Sequence, residues 1–404
     1  MDLDQLGKQT KSILTSVRNS STDIVKLVYT DISEILGSTR CRDYLTPINS
    51  IVIDRESQHQ TIVNKILMDQ GCYPTELINK VRETLADSIE QNPKTQILKL
   101  NNPKEFAWQE GIEASWDPID LNTVTFPHGR IPFVFVHGPQ YEELSKPENN
   151  HNNAFNFYKL FEKYAAWLFK DDSNPPIDIY LVSYDTSLED DKKKLLIDAF
   201  ATASGEEVTG ESTFLFFIVI WKELVRRAEK AGEDIKRFLE KLSNSEIEGA
   251  IAITHSLGCH VLAHAAHQLR EDQPLLDAFL SWFCMAPTLP SDAFTSTGKF
   301  RYAPGIIRRR TGDSYETTTV WYSKFDSILT SHYFLANKGC LAMGQTGAGQ
   351  FPEIAYDIDV TNNVHVYHDS AKYYELLGTS IRHIFLDLFG GSPHIHRLKG
   401  SDYS

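Results

Sequence analysis

Two hydrophobic rhythms divide the chain. Up to residue 94 apolar positions such as Ile13, Leu14, Val17, Ile24, Leu27 and Val28 recur at mixed three- and four-residue steps, as an amphipathic helix requires. Gly37 stops that stretch, and shorter helical patterns follow around residues 60–68 and 74–89, the latter opening on Pro74 and Thr75. From about residue 95 the rhythm changes. Short β-rich runs at 131–136, 177–184, 247–254, 278–285, 318–322 and 364–367 alternate with helical patterns at 154–169, 214–242 and 371–388, the second with a break expected near Gly232. Several runs are apolar on both faces (IPFVFV, IEGAIAIT, FLSWFCMA), which suits strands inside a parallel sheet covered by helices. The expected fold is therefore α/β, a mostly parallel sheet flanked by helices. It divides into an N-terminal helical region (1–94), an α/β domain (95–392) and a C-terminal tail (393–404).

Composition narrows the function classes. The chain has 404 residues, 41% apolar and 23% charged, which excludes collagen, coiled coil and wholesale disorder. A formal charge of −14 repels phosphate backbones, so no nucleic-acid partner is expected. The five cysteines (Cys41, Cys72, Cys259, Cys284, Cys340) form no C-x-x-C pair and support neither a zinc ribbon nor a disulfide framework. The N-terminal run MDLDQLGKQTKS has no apolar core, and the longest apolar run, 214–221, is far short of the roughly 20 residues of a membrane span. A cytoplasmic location with no signal peptide and no membrane span is expected.

The chemistry concentrates at residues 247–269, IEGAIAITHSLGCHVLAHAAHQL. An apolar strand ends at Thr254, His255-Ser256-Leu257-Gly258 follows, and a helical pattern begins. A serine in such a tight strand-to-helix turn exposes its hydroxyl beside the positive end of the helix. The turn needs small residues two positions either side of the serine. Gly258 meets this requirement, whereas Thr254 stands where a glycine is usual.

These residues resemble the α/β-hydrolase fold family, in particular its lipase- and esterase-like serine hydrolases with an H-S-x-G nucleophile elbow, over about residues 95–390. The resemblance implies the chain order Ser, acid, His, with the acid and the histidine each following a strand. Asp326 follows the run 318–322, and His368 follows 364–367. Ser256 would attack an ester carbonyl, His368 would take and return the proton, and Asp326 would orient the imidazole. His365 is the rival base, and Asp313, Asp357 and Asp359 are rival acids. His137-Gly138 resembles the pair that family members place after their third strand. The implied oxyanion donors are the Leu257 N–H and, because Pro139 has no N–H, Gln140.

The long segment 287–316 carries Lys299, Arg301, Arg308, Arg309 and Arg310. It reads as a lid over the site, with Arg308 and Arg309 beside His137 and Gly138 as substrate-binding residues for an anionic group, or as a solvated basic loop. His260, His264 and His267 share one helix face, yet no carboxylate or cysteine joins them at a fitting sequence spacing, so no metal and no cofactor is expected. The glycine-containing stretch 341–363 reads as a flexible connection. The expected function is hydrolysis of a small or lipid-like carboxyl ester, with a protein partner for the N-terminal helical region. The alternatives are a catalytically weak scaffold on the same fold, an acyltransferase or a thioesterase.

Overall fold

The computed structural model describes residues 95–102, 115–139, 150–165, 177–186, 210–247, 249–274, 276–307, 318–337, 340–349 and 355–389. The expectations for 1–94 and for the tail lie outside these residues. The chain divides into two compact units. The larger comprises Pro93–Ser187, Leu224–Lys324 and Met343–Ser404; the other includes Leu188–Glu223 and Phe325–Ala342.

The larger unit holds an eight-stranded sheet in the order β2-β1-β4-β3-β5-β6-β7-β8. Its strands are β1 (Gln96–Leu100), β2 (Trp116–Pro118), β3 (Ile131–Val136), β4 (Ile177–Ser183), β5 (Ala250–His255), β6 (Phe279–Met285), β7 (Thr318–Tyr322) and β8 (Ala355–Asp359). β1 pairs antiparallel with both β2 and β4; the pairs from β4 across to β8 are all parallel. Every residue of β3, β4, β5 and β6 is buried, as continuous apolar runs require in a sheet covered on both faces.

The covering helices are α1 (Asn150–Ala165), α2 (Gly210–Ser243), α3 (Leu257–Asp272) and α4 (Ser370–Phe389). Phe157, Tyr158 and Phe161 of α1 pack on Phe135 of β3, with ring centres 5.0–6.2 Å apart. On the other face Phe238 of α2 lies 5.5 Å from Tyr180 of β4, which pairs with Val134. Because successive strand residues alternate faces, Phe135 and Tyr180 point to opposite sides. In α2, Leu224, Ala228, Ala231, Ile235, Phe238 and Leu242 are buried, the three- and four-residue recurrence of an amphipathic helix.

Two sequence expectations are corrected here. The last strand is β8, inside the stretch read as a flexible connection; residues 364–367 form the end of the helical turn Thr361–Val364 and the bend after it. β8 is an edge strand, so it needs only partial burial, and its sequence AYDID keeps two charged positions that mask an apolar pattern. The α2 helix does not break at Gly232. A Cβ there would stand 2.8 Å from the Val261 carbonyl oxygen, so the glycine serves close approach of α2 to α3.

The strand order reverses at β3, because β4 lies on one side of it and β5 on the other. Open α/β sheets gather ligands in the crevice outside the carboxyl ends at such a switch point. His137-Gly138, after β3, and Ser256, after β5, flank it.

Candidate active site

Ser256 occupies the single residue between β5 and α3 and adopts φ 52°, ψ −119°, a backbone conformation unusual for a residue with a side chain. The turn is tied on both sides. The Ser256 N–H donates to the Met285 carbonyl at 2.9 Å, and its own carbonyl accepts from Cys259 N–H at 3.1 Å. Gly258 is pressed against the end of β3: a Cβ there would meet the Val136 carbonyl oxygen at 2.1 Å. Gly138 faces the serine, and a Cβ at that position would be 2.8 Å from Ser256 Cβ.

Thr254 fits where a glycine is usual because its polar atom is fully used. Its Oγ1 donates to the Phe283 carbonyl at 3.1 Å, accepts from Trp282 Nε1–H at 2.9 Å and lies 3.1 Å from Cys259 Sγ. The extra bulk thus becomes a buried bridge between β5, β6 and α3. Cys259 itself is buried.

His368 Nε2 lies 2.7 Å from Ser256 Oγ. With Nδ1 protonated, Nε2 accepts the serine proton. The position of His368 is set by the start of α4, where Asp369 Oδ1 accepts the Ala371 N–H at 2.8 Å as a helix cap does. Tyr373 and Tyr374, both buried, anchor the first turns of that helix. His365, the rival base, stands in no strand. It ends the turn Thr361–Val364 at φ 55°, and its carbonyl accepts a hydrogen bond from Ser323 Oγ.

Asp326 belongs to the smaller unit and is completely buried. Its Oδ1 accepts the Leu329 N–H at 3.0 Å, and its carbonyl accepts from Thr330 Oγ1 at 2.7 Å. Two rival acids have other tasks. Asp357 accepts the Ala348 N–H at 2.7 Å and the Gly349 N–H at 3.2 Å, while burial raises its carboxyl. Asp359 feels an upward push from burial, but hydrogen bonds from Lys324 and Thr361 hold it below the usual carboxylate range. Asp313, Gln140, Arg308 and Arg309 lie outside the described residues.

His137 is completely buried, stacked on Tyr184 at 4.7 Å, with Nδ1 bonded to the Gly138 carbonyl at 2.9 Å. Burial pushes its imidazole down from 6.5 to about 4, against that bond. The folded chain therefore binds this proton less readily than the unfolded one. Stability from neutral His137 is complete above pH 6.5 and falls by about 3 kcal/mol as pH drops from 6.5 towards 4. Chemical denaturation at pH 7.5 and 4.5 checks this: the acid loss should shrink by roughly that amount in His137→Asn. The Leu257 N–H, at the first position of α3, is one of the donors a helix leaves unused internally.

The three histidines of α3 surround Phe300, with ring centres 5.0–6.3 Å away. His260 Nε2 lies 3.4 Å from Glu229 Oε1, which also takes Lys299 Nζ at 2.5 Å. Among the described residues no group of three or more His, Cys, Asp or Glu could hold a metal ion. The described part of the segment read as a lid is packed: Leu289, Phe294, Phe300 and Ile306 are buried, and Lys299 and Arg301 pair with Glu229 and Glu271. Sequence reasoning gave no role to His255, whose ring centre is 5.0 Å from that of His368. Its only local signal is adjacency to the serine.

No family model matches the chain, and no curated protein matches it. Similar solved structures include esterase B from Lactobacillus rhamnosis with a tributyrin phosphonate inhibitor. That match is 10% identical, covers 78% of this chain and 96% of that one, and has a TM-score of 0.33. An arylesterase is 13% identical over 81% of this chain and 99% of its own, with a TM-score of 0.27. A Staphylococcus aureus structure described as a putative esterase is 11% identical over 64% and 78%, with a TM-score of 0.25. Likeness this distant carries no argument about activity. Among the described residues no helix is long and apolar enough to cross a membrane.

Proposed function

We propose that the chain is a serine hydrolase acting on carboxyl esters, with Ser256 as nucleophile, His368 as base and Asp326 as orienting acid. The observation that carries this reading is the 2.7 Å approach of His368 Nε2 to the hydroxyl of a serine held at φ 52° in a strand-to-helix turn. A chance serine–histidine contact needs no such backbone. The assignment of Asp326 rests on its burial and on the chain order Ser, acid, His.

The proton and bond changes follow. Ser256 Oγ forms a bond to the ester carbonyl carbon while its proton passes to His368 Nε2. The charge on the former carbonyl oxygen is stabilised by the Leu257 N–H, with Gln140 as second donor. Collapse breaks the carbon–alkoxide bond, and the imidazolium returns its proton to the departing alcohol. A water, deprotonated by His368, then attacks the acyl carbon; the bond to Ser256 Oγ breaks, the imidazolium returns its proton to that oxygen, and the acid leaves.

A fluorophosphonate probe tests the reading without knowledge of the substrate. The expected result is one covalent adduct, mapped by peptide mass spectrometry to Ser256. No adduct on folded protein, or an adduct elsewhere, removes the proposal. The second reading, a scaffold on the same fold, draws on Pro139: the residue after His137-Gly138 has no N–H to offer an oxyanion. Labelling without turnover of any nitrophenyl ester in a chain-length series favours it.

A further inference from the structure

The turn after β3 is held by an aromatic ring from the neighbouring strand. Tyr184, just past the end of β4, is buried, and its hydroxyl donates to the His137 carbonyl at 2.8 Å. The same ring stacks on the His137 imidazole, with centres 4.7 Å apart and planes tilted by 29°. That imidazole is the ring whose Nδ1–H donates to the Gly138 carbonyl at 2.9 Å. One side chain therefore fixes both carbonyls of the turn, the first by its hydroxyl and the second through the imidazole it supports. The residue that follows is anchored as well. Asp185 Oδ2 accepts from Arg227 of α2 at 2.7 Å, and both side chains are buried.

The turn held in this way bears on the nucleophile. A Cβ at Gly138 would stand 2.8 Å from Ser256 Cβ and 3.0 Å from the His255 carbonyl oxygen. A Cβ at Gly258 would stand 2.7 Å from the His137 carbonyl oxygen, so that carbonyl sits between the Tyr184 hydroxyl and the first turn of α3. We propose that Tyr184 is a positioning residue that holds the His137–Gly138 turn against Ser256. This rests on the hydrolase reading and deepens it. The serine keeps its unusual backbone with support from two sides, the Met285 carbonyl at the end of β6 and the turn at the end of β3. Without the phenol hydroxyl the His137 carbonyl loses a buried donor, which favours a shift of the main chain towards another partner. One of the two supports is then gone.

Tyr184→Phe keeps the stacked ring and removes only the hydroxyl. Fluorophosphonate labelling of Ser256 should slow by about 10- to 50-fold, and kcat on a nitrophenyl ester should fall by a similar factor with KM within about twofold. p-Aminophenylalanine at position 184 restores an N–H donor in place of the hydroxyl and should label within about threefold of wild type. Ile179→Val trims a buried side chain nearer the start of β4; it destabilises the same strand and should label at the wild-type rate. A folded Phe variant that labels at the wild-type rate overturns the inference and leaves the hydrolase reading intact. A slow p-aminophenylalanine variant also overturns it, because the fit of the ring rather than its donor would then be responsible. Slow labelling in Ile179→Val does the same by tracing the loss to stability. Absence of labelling in the wild type ends both readings. Should the Phe variant fail to fold, Asp185→Asn decides, since it loosens the anchor beside Tyr184. Labelling slower by about 3- to 10-fold upholds the role, and a wild-type rate overturns it.

Discussion

If the proposed hydrolase reading holds, ester turnover is expected to fall by about 10⁴- to 10⁶-fold in Ser256→Ala, by a comparable factor in His368→Ala, and hardly further in the double variant. The reason is proton accounting. The serine hydroxyl is a weak nucleophile unless a base takes its proton as the new bond forms, and His368 Nε2 stands 2.7 Å from the oxygen that must lose it. Two groups that serve one step fail together, so their losses do not add. Measuring kcat/KM on a nitrophenyl ester for both single variants and the double variant checks this. Additive losses, or a single variant retaining more than a tenth of wild-type activity, would show that the pair is not the reacting unit. The residual rate should be that of the helix-end donor and substrate binding alone.

Gly258→Ala has the second large effect, and it acts on the fold and the site together. The added methyl would stand 2.1 Å from the Val136 carbonyl oxygen and 2.7 Å from that of His137. Both are main-chain atoms of a central strand and its exit, so neither can swing aside. α3 must move away from β3, and it carries Ser256 with it. The expected loss exceeds the usual overpacking cost of about 1–3 kcal/mol, and fluorophosphonate labelling disappears in whatever protein remains folded. Gly129→Ala is the control. That residue has φ 76° and nothing within 4 Å of a new Cβ, so only the backbone penalty of about 1–2 kcal/mol applies. Equal urea midpoints for the two variants would contradict the steric account.

The central strands were legible because nothing local competes with them. Ile131–Val136 and Phe279–Met285 are unbroken apolar runs, and burial on two faces leaves few other readings. The tight turn at Ser256 was legible for a related reason: a strand, a serine and a glycine two positions later impose a turn through short-range sterics. β8 was not. Its Asp357 and Asp359 serve as acceptors for nearby N–H groups, so its sequence shows charge where an edge strand shows only one buried face. The histidines beside the serine were half legible. His368 follows from the resemblance and its order in the chain, but adjacency to Ser256 says nothing of what the His255 ring reaches.

The sequence by itself determined the apolar strands, the tight turn and the residue types available for proton transfer, because these follow from side-chain volume and spacing along one short stretch. Only the tertiary structure decided which imidazole reaches the hydroxyl. Residues 256 and 368 meet because the sheet lines up β5 through β8 in parallel and the cap of α4 sets the last loop. Such a meeting depends on register and crossover, which are properties of the packed chain and leave no mark at either residue.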